Sequence, residues 1–307
     1  MLTNMKYILD IAHEHNFAVP AFNVSMDAML NGVMESCEEE KSPVILAIHP
    51  DELSYEGDHY MEMVKDWANK TFLPVAVHLD HGATIQQVYR AAHDGFTSVM
   101  IDASAKLFEE NEAITKEVVA FAHPLGISVE AELGTIGIAD TAGEGSTESI
   151  RYTRPEDAEK FVKDTGVDCL AVAIGTAHGI YPKGFDPHLR IDLLKEIKSR
   201  VNVPLVLHGG SGNPDSEIAE AVVNGINKVN ISSDIKHSFM VKAREVLKNP
   251  VIREPDAVFP SCIDAMKEVA VHKIRLFKSN DTLKYYYPRD CKSSQGRRGL
   301  RNGTNES

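Results

Sequence analysis

Pro74-Val75-Ala76-Val77-His78-Leu79-Asp80-His81-Gly82 shows most plainly a pattern that recurs along the chain. It begins at a proline, runs through small and branched apolar residues, and ends in ionisable residues and a glycine. It is too short for a typical helix, and its nearly continuous hydrophobicity suits a strand buried on both faces. Proline is tolerated as the first residue of such a strand because it has no N–H to donate. Runs of the same kind recur at Val19–Val24, Pro43–His49, Pro74–His81, Ser98–Ser104, Ser128–Gly134, Cys169–Gly175, Pro204–Gly210 and Lys228–Ser233.

Helix-compatible segments lie between them, among them Met26–Glu40, Thr84–His93, Glu109–Phe121 and Glu156–Asp164. Arg154-Pro155-Glu156-Asp157 and Asn213-Pro214-Asp215 read as helix starts, with proline and acids in the first turn. Strand and helix alternate eight times, which implies a parallel sheet, and eight units close a barrel. The predicted fold class is α/β: a (β/α)8 TIM barrel over residues 1–279 with an additional C-terminal helix. A barrel needs about 250 residues, and the chain has 307. An open doubly wound sheet is the alternative, and no G-x-G-x-x-G follows the first strand to support its dinucleotide version.

Two segments break the rhythm. Gly134 to Tyr152 is rich in Gly, Ser and Thr and reads as a functional lid or a disordered loop. Residues 280–307 lose apolar content and read as a tail without fixed structure.

Composition narrows the function classes. The net charge of −13 argues against a general binder of nucleic acid or anionic membrane, because phosphate attracts basic surfaces. Cys37, Cys169, Cys262 and Cys291 are scattered without a C-x-x-C pair, so neither a disulfide scaffold nor a cysteine zinc site is expected. No signal-type run opens the chain, and no apolar stretch reaches the roughly 20 residues that cross a bilayer. The expected location is cytoplasmic.

The chemistry is legible in where polar residues fall. In a parallel barrel, active sites are built at the carboxyl ends of the strands. Those ends carry His81, His178 and His208, Asp80 beside His81, and the carboxylates Asp102 and Glu132. Most single histidines are structural or lie at the surface, but three from three strand ends suit a divalent transition metal with an open position. Asp80 is a candidate general acid/base, or an acceptor that orients a neighbouring histidine. Asp102 and Glu132 are candidates for a second cation, or for helix caps and salt bridges. Gly209-Gly210-Ser211-Gly212 before a helix start can cradle a phosphate, and Asn230 to Ser233 add donors after the eighth strand.

These motifs, together with Pro20-Ala21-Phe22-Asn23, Met100-Ile101-Asp102-Ala103-Ser104, Val129-Glu130-Ala131-Glu132-Leu133-Gly134 and Ala173-Ile174-Gly175-Thr176-Ala177-His178-Gly179, resemble class II ketose-bisphosphate aldolases. The likeness is closest to the tagatose-bisphosphate branch and covers residues 1–278. The resemblance implies catalytic Zn2+ on His81, His178 and His208, with a second divalent or a monovalent cation near Asp102 and Glu132. It implies Asp80 as the group that takes the C4 hydroxyl proton while the C3–C4 bond breaks. Gly179, Gly209, Gly210, Ser211, Asn230, Ile231, Ser232 and Ser233 match positions that hold the dihydroxyacetone-phosphate half, and Asn23 matches one on the aldehyde side. The expected partner is a small sugar phosphate, and the family suggests a homodimer or homotetramer.

Two positions depart from the family's pattern. The lid acid/base is a glutamate in the family, whereas counting from Glu132 gives Asp140 here, with Glu144 as the other candidate. The end of the second strand reads His49-Pro50-Asp51 where the family often has a small hydroxyl residue near the distal phosphate. A carboxylate there repels phosphate, so a monophosphorylated ketose stands beside the bisphosphate. Competing readings are a metal-dependent sugar-phosphate isomerase or epimerase and a non-catalytic sugar-phosphate-binding barrel. A Schiff-base aldolase would need a buried lysine towards a strand's carboxyl end, and Lys228 lies at the start of its run.

Overall fold

The structure is a computed structural model and describes residues 1–139, 150–182 and 187–287. Eight parallel strands close into a barrel: β1 (Val19–Asn23), β2 (Val44–Ile48), β3 (Val75–Gly82), β4 (Ser98–Ile101), β5 (Ser128–Leu133), β7 (Cys169–Val172), β9 (Leu205–Leu207) and β10 (Ile226–Ile231). Closure comes from β1 pairing with both β2 and β10, with Ala21 opposite Ile45 and Asn230. Two short strands, β6 (Gly137–Ile138) and β8 (Ala177–His178), form a separate parallel pair beyond β5 and β7.

Helix α1 (Met5–His15) precedes the barrel, and α2 (Asp27–Glu40) follows β1. The connection from β2 to β3 holds α3 (Pro50–Glu56) and α4 (Asp58–Lys70). Then come α5 (Ile85–Asp94), α6 (Phe108–Ala122), α7 (Pro155–Thr165), α8 (Ile191–Arg200), α9 (Asp215–Val223) and α10 (Ser233–Val246). The additional C-terminal helix is α11 (Pro255–Leu276), which packs on α2 and α10. Local signals explain the ends. Thr84 and Gln87 form a capping box on α5, and Gly95 closes it in the left-handed conformation. Pro155 opens α7 with Glu156 and Asp157 in the first turn.

Several strands stop short of the apolar runs that predicted them. The run Lys228–Ser233 ends as a strand at Ile231, and Ser233 already belongs to α10. Some residues beyond the last ladder pairs, among them Gly209, Ser232 and Ser233, line the pocket at the mouth.

The barrel interior is tiered, because residues two apart on a strand share a face. At the floor, Met5, Ile8, Leu9 and Ala12 of α1 pack with Val19, Ala21, Ile45, Ala76, Cys169, Ala171 and Val206. Above them lie His78, Glu130 and Lys228, all fully buried. Two positions further along the same three strands come Asp80, Glu132 and Asn230. The floor extends past residue 279, where the tail was expected to begin. Thr282–Tyr285 forms a 3-10 turn, and Tyr286 is buried with its hydroxyl donating to the Ile8 carbonyl at 2.9 Å. An aromatic ring that closes an apolar floor gains enough burial to order this part of the segment.

Candidate active site

His81 owes its position to a break in β3. The β3–β4 register shifts between Leu79 and Gly82, and His81 has φ 51°. A left-handed backbone is uncommon for a residue with a side chain, and here it lets neighbours point the same way. Asp80 and His81 consequently line one pocket, where a regular strand would send them to opposite faces. Gly82 permits the bulge, because a Cβ there would meet the Met100 carbonyl at 2.6 Å.

His178 arrives on β8 and His208 just past β9. Between them Gly209 has φ 62°, and a Cβ on it would lie 2.6 Å from the Ala177 carbonyl. Its missing side chain brings the two histidine-bearing segments together. One ligand nitrogen from each of His81, His178 and His208 lies within 4.8 Å of the others. His81, Asp102 and Glu132 form a second group that meets the same limit.

The outward nitrogens are held by carboxylates. His81 Nδ1 is 2.9 Å from Asp102 Oδ2, and Asp102 Oδ1 accepts from the Ser104 amide and hydroxyl at 3.1 and 2.7 Å. His208 Nε2 is 2.7 Å from Glu130 Oε1. With both N–H groups directed at carboxylates, His81 Nε2 and His208 Nδ1 face each other at 2.9 Å, and the buried His178 Nδ1 has no partner among the described residues. Two lone pairs at that separation repel unless a cation lies between them. Without a metal a proton serves: burial works most strongly against a charged His81, but Asp80 and Asp102 outweigh it and push the imidazole up to about 10. Burial drives His178 and His208 the other way, below the ordinary histidine range. Three converging nitrogens with carboxylates behind two of them fit a divalent transition metal.

Asp80 is 1% exposed. Its Oδ2 accepts from Asn23 Nδ2 and its Oδ1 from Asn230 Nδ2, each at 2.9 Å. Burial alone would raise its pKa, but His81, His208 and Lys228 together hold it well below the usual carboxylate range, so the group is ionised. Glu132 behaves oppositely. Burial and the neighbouring Asp102 raise it well above its ordinary value, and its Oε2 is buried without a partner among the described residues. A cation near Asp102 and Glu132 would answer that orphan.

Opposite these groups the pocket is lined by Asn23, Gly179, Gly209, Ser211, Asn230, Ser232 and Ser233. Ser232 and Ser233 open α10, so main-chain N–H groups and the positive end of that helix border the pocket. Gly210 and Ile231 do not line it. A Cβ on Gly210 would meet the Val229 side chain, and Ile231 is fully buried in the outer core. Asp140 and Glu144 lie outside the described residues.

The end of β2 differs from expectation. His49 caps α3, its Nδ1 accepting from the Asp51 amide at 3.2 Å. Asp51 is thereby turned out to solvent, its side chain 94% exposed. The ring of His49 lies nearer the site, its centroid 6.5 Å from that of His81. In solvent the charge of Asp51 is screened, so it repels a phosphate less than a buried carboxylate would.

Sequence reasoning gave no role to Glu130 and His78, and weighed Lys228 only as a Schiff-base lysine. Lys228 is the third residue of β10 and fully buried, its Nζ 2.7 Å from Glu130 Oε2, so the barrel does hold a buried lysine. It pairs below the pocket and is not among the lining residues. The missed signal was the period of two: each residue stands two positions before a polar residue at the strand end.

The chain is similar to known proteins along most of its length. The family model described as "Fructose-bisphosphate aldolase class-II" matches residues 3–282. A fructose-bisphosphate aldolase of Geobacillus stearothermophilus is 40% identical over 286 residues, covering 91% of this chain and 98% of that protein. The crystal structure of the YdjI aldolase from Escherichia coli K12 superposes with a TM-score of 0.82 at 37% identity, covering 92% of this chain and all of that one. A putative fructose-1,6-biphosphate aldolase from Coccidioides immitis gives a TM-score of 0.84 at 27% identity, covering 92% of this chain and 99% of that one.

Proposed function

The chain belongs to the class II fructose-bisphosphate aldolase family and is a carbon–carbon lyase, and from that premise we propose that it reversibly cleaves a phosphorylated ketose, tagatose- or fructose-bisphosphate-like, to dihydroxyacetone phosphate and an aldehyde such as glyceraldehyde 3-phosphate. The observation that carries this reading is a buried Asp80, clamped by two asparagine amides, beside three histidine nitrogens that lie close together. His81, His178 and His208 would hold zinc, which when bound supplies Lewis acidity to the ketose carbonyl. Asp102 and Glu132 would steady a second cation.

Asp80 accepts the hydroxyl proton whose loss lets the C3–C4 bond break, and returns it in the synthetic direction. Asn230 Oδ1, buried without a partner among the described residues, would accept from a substrate hydroxyl. Gly179, Gly209, Ser211, Ser232 and Ser233 receive the phosphate through main-chain and hydroxyl donors. Asp140, with Glu144 as the other candidate, moves the proton at C3. A sugar phosphate as partner, a cytoplasmic location and a homodimer or homotetramer complete the reading. No described helix is long and apolar enough to cross a membrane.

The test is a screen of phosphorylated ketoses, mono- and bisphosphates, with zinc-loaded protein and a coupled readout of triose phosphate. Release of triose phosphate supports the aldolase reading. Conversion without release identifies an isomerase or epimerase, and tight binding without turnover identifies a silent barrel.

A further inference from the structure

Beneath the pocket runs a chain of buried hydrogen bonds with a fixed direction. Lys228 Nζ donates to Glu130 Oε2 at 2.7 Å, and the other Glu130 oxygen faces His208 Nε2 at 2.7 Å. On its far side Lys228 Nζ lies 3.4 Å from His78 Nε2, and His78 Nδ1 lies 2.8 Å from Ser98 Oγ. The Ser98 hydroxyl ends the chain on the Met5 sulfur of α1, at 3.6 Å. Lys228, Glu130, His78, Ser98 and His208 are all 0% exposed, so bulk solvent does not reach them.

An ammonium can only donate. Lys228 therefore obliges Glu130 to accept on that side, and a carboxylate also accepts on the other, from His208 Nε2–H. A histidine that carries its proton on Nε2 presents a lone pair on Nδ1, the nitrogen that faces His81 across the pocket. We infer that Lys228 and Glu130 are positioning residues that select the Nε2–H tautomer of His208 and so turn its Nδ1 lone pair towards the metal. The inference rests on the proposed three-histidine metal site. It adds that the site's competence is set one tier below, by residues that touch neither metal nor substrate.

The polarity makes an unusual prediction. In Glu130→Gln the side chain has one accepting and one donating end. Beside Lys228 the amide must turn its oxygen to the ammonium and its NH2 to His208. His208 then accepts on Nε2 and carries its proton on Nδ1, where it blocks the metal. Adding Lys228→Met frees the amide to turn round, and its oxygen again accepts from His208 Nε2–H. A second change should therefore repair the first.

Zinc affinity is measured by chelator competition on wild type, Glu130→Gln and Glu130→Gln/Lys228→Met, with thermal melts alongside and 15N spectra of the histidine rings of metal-free protein. The single variant should lose about 10- to 100-fold in affinity and show His208 protonated on Nδ1. The double variant should recover most of that affinity and return the proton to Nε2. A merely structural role predicts lowered melting temperatures, additive losses and no tautomer change. A folded Glu130→Gln protein with wild-type affinity overturns the inference, and so does a double variant no better than the single. Should neither variant fold, wild-type His208 carrying its proton on Nδ1 overturns it, and on Nε2 supports it. Wild-type protein that binds no zinc refutes the metal reading itself, a different outcome from zinc bound with unchanged affinity in Glu130→Gln.

Discussion

Asp80 shows how much one residue's surroundings say about its role. Both oxygens are engaged by asparagine amides, and both amides come from other strands, so the carboxylate is oriented before any substrate arrives. Asp80→Ala removes the proton acceptor and leaves the histidine nitrogens in place. It should reduce turnover by about 10²- to 10⁴-fold while keeping bound zinc, whereas His178→Ala should lose the metal. Turnover and zinc content of the purified variants check both, and normal turnover in Asp80→Ala would refute its role. The sequence shows Asp80, His81, His178 and His208 as a group because each follows an apolar run. The sequence around Asp51 does not reveal that His49 caps α3 or that the Asp51 side chain stands in solvent.

At the scale of elements, the site depends on two local irregularities that no periodicity could announce. Alternation predicts opposite faces for Asp80 and His81, and only the left-handed turn at His81 reunites them. The short β8 strand is likewise absent from the apolar runs, yet it carries His178, and Gly209 admits it to contact. Gly209→Ala places a Cβ against the Ala177 carbonyl and strains a left-handed backbone. It should cost about 1–3 kcal/mol in denaturant melts and weaken zinc binding as His178 shifts away. Much of the regular structure was readable: each barrel strand overlaps a predicted run, and α7 and α9 begin at the predicted signals. What could not be read was where pairing stops, because that depends on neighbouring strands.

For the whole molecule, the barrel is a stack in which an apolar floor supports a buried charged tier, which in turn supports the site. Burial in that tier has a consequence for pH. His78 is held down to about 3 from its ordinary 6.5, chiefly by burial, with Lys228 adding to the effect. Between those values the unfolded chain binds a proton on His78 and the folded chain does not. Stability therefore rises with pH across this window and falls as acid is added through it. His78→Gln should flatten that part of the curve by about one proton per chain, seen in melts of metal-free protein between pH 3 and 7. An unaltered slope would contradict a neutral buried imidazole. The same tier holds Lys228, a buried lysine on which a Schiff-base mechanism could be built. Titrating chelator-stripped protein with zinc while following triose phosphate release separates the two chemistries most directly. A metal held by the three histidines predicts no release without metal, full release at about one zinc per chain, and no loss to borohydride in the presence of substrate. Release that survives chelation and is abolished by borohydride through substrate trapped on Lys228 would contradict it.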